Sequence, residues 1–283
     1  MINWLEKVGI KEITYAKEKR FVFIAGPCVL NDADEAEHIA RYLLEIAEEL
    51  GVPFVFKGSY DKANRTRIGS FRGPGVKTGL AILHHIRETY KIPVLSDVHS
   101  VEEVEEASKV LDFMQIPAFL CRQTDLIVAA AESNKVINVK KGPFLAPGDM
   151  RYVVEKIRST GNNKYLITER GTSFGYNTLV NDFKSFPIMS QFAPVVYDAS
   201  HSVQSPGGSN GVSGGSRRYI PNLTRAAIAA GAAGLYLEVH PKPEEAKSDS
   251  AVSFPLDRVK QLLEEALEIY QVTNRLASWG DLI

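Results

Sequence analysis

Cys28, His201, Glu238 and Asp249 are side chains of the types that hold a divalent metal. Thiolate and imidazole favour zinc or iron, and carboxylates widen the choice to harder ions. No linear zinc signature joins them, so distant parts of the chain would have to bring them together. Plainer roles stay open for each. Cys28 could be a small buried thiol, His201 a general base or a hydrogen-bonded structural histidine, and Glu238 the partner of a cation. A second group is cationic. Residues 57–72 carry Lys57, Lys62, Arg65, Arg67 and Arg72 against one acid, Asp61. Arg122, Lys140 and Arg170 add positive charge further along. Arginine offers a planar bidentate fork and lysine a compact point charge, so such a lining suits small multiply charged anions, phosphates above all. The competing reading is a solvated face with ordinary ion pairs. Residues 200–217 hold five glycines (Gly207, Gly208, Gly211, Gly214, Gly215) and six serines. They read as a long flexible loop, either a lid or a passive linker. Cys121 reads as a packed thiol, and the His84-His85 pair receives no role.

The elements that must position these groups recur regularly. Short β-branched or aromatic runs occur at Phe21–Ala25, Phe54–Phe56, Val94–Leu95, Phe113–Ile116, Val136–Val139, Tyr165–Thr168, Val195–Tyr197 and Leu235–Val239. Such runs suit strands buried on both faces, as in parallel sheets. Helical patterns separate them. From Ala36 to Leu50 the apolar positions are Ala36, Ile39, Ala40, Leu43, Ile46, Ala47 and Leu50, with Glu45, Glu48 and Glu49 opposite. Leu256, Val259, Leu263, Ala266 and Tyr270 repeat the stripe near the end. Eight β-α units predict an α/β chain folded as a single (β/α)8 TIM barrel over residues 21–283, with a short extension at residues 1–20. An open doubly wound sheet is the alternative. In a barrel, chemistry sits on the loops after the strands. Polar groups follow every run: Cys28 after the first, Lys57 after the second, Asp97 and His99 after the third, Gln115 and Arg122 at the fourth. Asn138 and Lys140 follow at the fifth, Arg170 at the sixth, Asp198 and His201 at the seventh, and Glu238 at the eighth.

Composition narrows the function classes. The 33 basic and 34 acidic residues leave a net charge of −1, which gives no support to bulk binding of nucleic acid or an anionic membrane. Hydrophobic residues make 45% and charged residues 24% of the chain, an ordinary globular balance. Two cysteines exclude a disulfide framework and favour a reduced, cytoplasmic setting. Glu6, Lys7, Lys11 and Glu12 interrupt any leader-like apolar core. No apolar run approaches the roughly 18 residues a membrane span needs.

Several longer strings resemble a known family. They are Phe56-Lys57-Gly58-Ser59-Tyr60-Asp61-Lys62-Ala63-Asn64-Arg65, Ser70-Phe71-Arg72-Gly73-Pro74-Gly75, Asp97-Val98-His99, Gln115 to Leu126, Ile137-Asn138-Val139-Lys140-Lys141, Arg170-Gly171, Phe174-Gly175-Tyr176 and His201-Ser202-Val203-Gln204. In order and content they resemble the 3-deoxy-D-manno-octulosonate 8-phosphate synthases. The related heptulosonate synthases, which take erythrose 4-phosphate, carry a Lys-Pro-Arg type string where this chain has Lys62-Ala63-Asn64-Arg65. The resemblance implies a homotetrameric barrel enzyme. It would condense phosphoenolpyruvate with D-arabinose 5-phosphate and water, for lipopolysaccharide synthesis. It implies a phosphoenolpyruvate site at Lys57, Lys62, Gln115, Lys140 and Arg170. Asn64, Arg65 and Thr66 would hold the sugar phosphate, and Arg122 would reach a neighbouring subunit's sugar phosphate. Asp97 and His99 would stand beside the reacting centre. Cys28 stands where the family's metal-free class carries Asn, which implies the metal-dependent class, with one divalent ion (zinc, iron, manganese or similar) on Cys28, His201, Glu238 and Asp249. Thr66-Arg67, Pro143 and Ser200 depart from the family's usual residues.

Overall fold

The computed structural model describes residues 21–209 and 212–276; the extension expected at residues 1–20 lies outside the described residues. In chain order the elements are β1 (Val22–Gly26), α1 (Ala33–Glu49), β2 (Phe54–Lys57), α2 (Val76–Tyr90), β3 (Val94–Asp97), α3 (Val101–Ser108) and β4 (Phe113–Ile116). Next come α4 (Thr124–Glu132), β5 (Val136–Lys140), α5 (Met150–Arg158) and β6 (Tyr165–Glu169). A small hairpin of β7 (Thr172–Ser173) and β8 (Leu179–Val180) precedes α6 (Ser185–Met189) and β9 (Val195–Asp198). The chain then forms β10 (Gln204–Ser209), β11 (Val212–Gly215), α7 (Ile220–Ala229), β12 (Gly234–His240), β13 (Phe254–Pro255) and α8 (Val259–Arg275).

All eight apolar runs are strands. They pair in parallel in the order β1-β2-β3-β4-β5-β6-β9-β12, and β12 returns to β1, with Val22 opposite Gly234 and Gly26 opposite Glu238. That last ladder closes the barrel and removes the open-sheet alternative. The helices form where the sequence pattern puts them. In α1 the Asp32 side chain caps the helix by accepting from the Glu35 amide at 2.9 Å, and Ala36, Ile39, Ala40, Leu43, Ile46 and Ala47 face the sheet. Gly51, in the left-handed region, ends the turn before β2.

Period-two alternation splits each strand's side chains. One set packs outward against the helices in the larger core. The other set fills the barrel: Val22, Ile24, Val55, Leu95, Phe113, Val136, Leu166, Val196 and Tyr236 form a closed apolar floor. Two residues beyond that floor, the same inward face carries Lys57, Asp97, Gln115, Asn138, Thr168, Asp198 and Glu238, all buried. On β1 the equivalent residue is Gly26; a Cβ there would stand 1.9 Å from the Lys57 carbonyl oxygen, so only glycine fits this approach of β1 to β2.

The glycine-rich stretch differs from the loop expected of it. Over its described residues it is an antiparallel hairpin of β10 and β11, with Gln204 opposite Gly215 and Ser209 opposite Val212. The register shifts between Ser205 and Ser209, a bulge or irregularity in the ladder. Small residues weaken strand propensity without forbidding a ladder, so composition alone misleads here. Helix α6 is also shorter than the other helices, five residues with Pro187 inside it.

Candidate active site

The C-terminal ends of the strands converge on a buried layer of opposite charges. Lys57 Nζ, wholly buried on β2, donates to the carbonyls of Cys28 at 2.6 Å and Pro27 at 3.2 Å, and to Glu238 Oε1 at 2.7 Å. Lys62 enters from the loop after β2. Its ammonium donates to Ser59 Oγ at 2.9 Å and stands 3.7 Å from Asp97 and 3.9 Å from Glu238. Burial opposes its charge, but Cys28, Asp97 and Glu238 together keep its pKa above the usual lysine range. Burial likewise opposes the Asp97 carboxylate, while Lys62, Lys57 and His99 hold its pKa below the usual range. Lys140, on β5, donates to Asp198 at 2.6 Å and sits 3.7 Å over the Tyr236 ring. Burial lowers its pKa, with Asp198 and Glu238 resisting. Arg170, buried after β6, donates to Gln204 at 3.0 Å, and Gln204 in turn donates to Asp249 at 2.8 Å.

A hydrogen-bonded belt crosses four neighbouring strands. Thr168 on β6 donates to Asn138 Oδ1 at 2.7 Å, and Asn138 on β5 donates to Gln115 Oε1 at 2.8 Å. The Gln115 amide on β4 donates to Asp97 Oδ1 on β3, and Ser59 donates to Asp97 Oδ2 at 2.9 Å. Each amide has one face that donates and one that accepts, and the Asp97 carboxylate only accepts, so Asp97 sets the direction of the whole belt and the Thr168 hydroxyl, able to donate or accept, completes it.

The metal-type residues meet because the barrel closes. Ligand atoms of Cys28, Glu238 and Asp249 all lie within 4.8 Å of one another. His201 turns its Nε2 toward the same point, 3.6 Å from Glu238 and 3.7 Å from Asp249. Its Nδ1 is held by Asp198 at 2.7 Å, a contact that fixes the ring's orientation and leaves Nε2 turned to that point. Glu238 Oε2 is buried with no hydrogen-bond partner among the described residues. An orphaned carboxylate oxygen among thiol, imidazole and carboxylate donors fits a divalent cation. Burial, reinforced by Glu238, pushes the Cys28 thiol pKa up. Asp249 holds a left-handed backbone, φ 50°, unusual for a residue with a side chain.

Other expected residues stand apart. Asn64, Thr66 and Arg122 are exposed at the barrel mouth. Arg65 donates to the carbonyls of Phe71 and Lys247. Arg72 pairs with Asp61. His99 leans on Glu103, its Nδ1 at 3.2 Å and its backbone amide at 3.0 Å, rather than on the central charges. Lys141 points to the outer side of β5, where the carbonyls of Gly142, Leu145 and Gly171 and the Thr172 hydroxyl surround it. Cys121 is a buried free thiol, as expected. Sequence reasoning assigned no role to Asp198, Tyr236, Ser59, Ser248 or Thr168. Counting in twos from the apolar floor would have found Asp198 and Thr168. Ser248, 3.0 Å from the Cys28 sulfur, carries no such signal.

Comparison with known proteins agrees with this architecture. The family model described as the DAHP synthetase I family matches residues 6–274. A 2-dehydro-3-deoxyphosphooctonate aldolase of Syntrophotalea carbinolica is 52% identical over 265 residues, covering 93% of this chain and 96% of its own length. Proteins of the same name from Desulfosudis oleivorans and Syntrophobacter fumaroxidans are 50% and 54% identical, covering 96% and 90% of this chain and 98% and 89% of their own lengths. The chain therefore belongs to the DAHP synthetase I family, in the group of relatives named 2-dehydro-3-deoxyphosphooctonate aldolase.

Proposed function

We propose that this enzyme condenses phosphoenolpyruvate with D-arabinose 5-phosphate and water. The products are 3-deoxy-D-manno-octulosonate 8-phosphate and inorganic phosphate, for lipopolysaccharide synthesis in the cytoplasm. The observation that carries this reading is the set of four buried cations, Lys57, Lys62, Lys140 and Arg170, at one barrel mouth. Two phosphorylated anions repel each other, and such a cluster offsets that cost. Holding both substrates makes carbon–carbon bond formation effectively intramolecular, worth up to about 7–11 kcal/mol in favourable systems.

Lys57, Lys140, Arg170 and Gln115 hold the carboxylate and phosphate of phosphoenolpyruvate. Asn64, Arg65 and Thr66 take the sugar phosphate, with Arg122 completing a neighbouring subunit's site in a homotetramer. Carbon 3 of phosphoenolpyruvate attacks the aldehyde. Lys62, which keeps its proton, donates to the oxygen where negative charge develops. Asp97 and His99 position polar groups beside it. Water adds at carbon 2, and phosphate leaves with cleavage of the carbon–oxygen bond. Cys28, His201, Glu238 and Asp249 would hold one divalent ion per subunit, which would supply Lewis acidity there. Removing metal with EDTA is expected to abolish turnover of the two substrates, and added divalent metal to restore it. Full turnover by rigorously metal-free protein would contradict the metal assignment. In ¹⁸O water the released phosphate is expected to carry no label; labelled phosphate would contradict carbon–oxygen cleavage.

A further inference from the structure

Outside the barrel mouth, α7 and α8 enclose a groove of about 340 Å³. Among the described residues, Arg217, Arg218, Arg225 and Arg258 line it, against a single carboxylate, Glu265. Glu265 is already paired with Arg225 at 3.2 Å. The guanidinium of Arg217 donates to the Ser250 carbonyl. Arg218 stacks 4.6 Å from the Tyr219 ring, and Arg258 is exposed at the N-terminal boundary of α8. Pro221, in the first turn of α7, also lines the groove. The floor is apolar: Phe254, Pro255 and Leu262. The groove shares no residue with the centre described above.

We propose that this groove is a second ligand site, for a small phosphomonoester whose planar or apolar body lies on Phe254 and Leu262. Arginine forks supply bidentate contacts to the phosphate, and their excess over carboxylate leaves charge to be neutralised. A volume of this order suits a small organic ligand. The site is connected to the centre through one segment. The Arg217 amide donates to the Ala251 carbonyl at 3.3 Å, two residues from Asp249, and β13 pairs with the end of β12.

The test uses the full-length chain, with phenyl phosphate, inorganic phosphate and phenol as probes. Calorimetry compares it with the Arg218→Ala/Arg258→Ala double variant, and hydrogen–deuterium exchange locates the binding. Phenyl phosphate is expected to bind more tightly than phosphate, and phenol not to bind. It is expected to slow exchange over residues 216–221 and 250–262. In the double variant its affinity at this site is expected to fall at least tenfold, with kcat/KM in the absence of probe unchanged. Equal affinity in both proteins, or protection confined to the barrel mouth, would overturn the proposal. Should the double variant fail to fold, Arg258→Gln at its exposed position carries the test, with at least threefold weakening expected and unchanged affinity overturning it.

Discussion

Thr168→Val removes one hydrogen-bond donor from the floor of the active site and nearly conserves shape. The Thr168 hydroxyl is wholly buried and donates to Asn138 Oδ1 at 2.7 Å. Without it, that oxygen is left buried and unpaired, at a cost of about 1–3 kcal/mol. For a domain of this size class each kcal/mol lowers the melting midpoint by about 2–4 °C, so the variant should melt roughly 2 to 12 °C lower. The belt would also lose its terminal donor. The acceptor-only Asp97 carboxylate still compels Gln115 to donate, but Asn138 loses the contact that fixes its amide, which loosens the seat of Gln115. If Gln115 contacts phosphoenolpyruvate, kcat/KM for that substrate should fall roughly tenfold, about 1.4 kcal/mol of transition-state stabilisation. Thr168→Ser retains the donor and should recover most of the kinetic loss, though not the methyl group's packing. Thermal unfolding and steady-state kinetics on the three proteins decide the matter. A valine variant that matches wild type in both, or a serine variant as impaired as valine, would refute the belt's role.

Other consequences follow from the same geometry. Cys28→Asn should fold with a near-normal far-ultraviolet spectrum and keep some activity, while losing the thiolate-to-metal charge-transfer band of the cobalt-loaded protein; global unfolding would give Cys28 a structural role instead. Because burial pushes the Cys28 thiol up, metal uptake must displace its proton, so metal affinity measured by equilibrium dialysis should rise with pH. His99 is raised, because burial's opposition is outweighed by Glu103 and Asp97. That stability is fully present below the unfolded histidine value of about 6.5 and is lost as pH rises through the higher folded value. Denaturant titrations should therefore show Glu103→Gln costing more at pH 6 than at pH 9. Asp97 has the opposite sign. Its lowered pKa contributes stability above the unfolded value of about 3.9, lost as pH falls through the folded value, so Asp97→Asn should lessen acid sensitivity in the same titrations. Phe113→Ala, at the apolar floor, should cost about 3–5 kcal/mol in urea unfolding.

The barrel was legible because each strand is a short apolar run and each long helix has a clean stripe. Ala36 to Ala47 is such a stripe, and its face is the one α1 buries. Lys57, Asp97, Gln115, Lys140 and Glu238 were legible as polar residues at the ends of apolar runs. What each one touches was not. Asp198 shares its carboxylate between Lys140 and His201, and Tyr236 lies under Lys140, because closure brings β5, β9 and β12 around one interior. No local spacing encodes a pairing across 58 residues, as between Lys140 and Asp198. Lys140 and Lys141 look equivalent in sequence, yet the pleat sends one inward and the other outward. The hairpin at β10 and β11 was missed because serine and glycine signal turns more strongly than they signal strands.

The acceptor sugar separates octulosonate from heptulosonate synthesis. Phosphate release from phosphoenolpyruvate, measured on metal-loaded protein with arabinose 5-phosphate and with erythrose 4-phosphate in parallel, tests it most directly. Release is expected with arabinose 5-phosphate, and none above background with erythrose 4-phosphate. Preference for erythrose 4-phosphate, or release with neither, would contradict octulosonate synthesis.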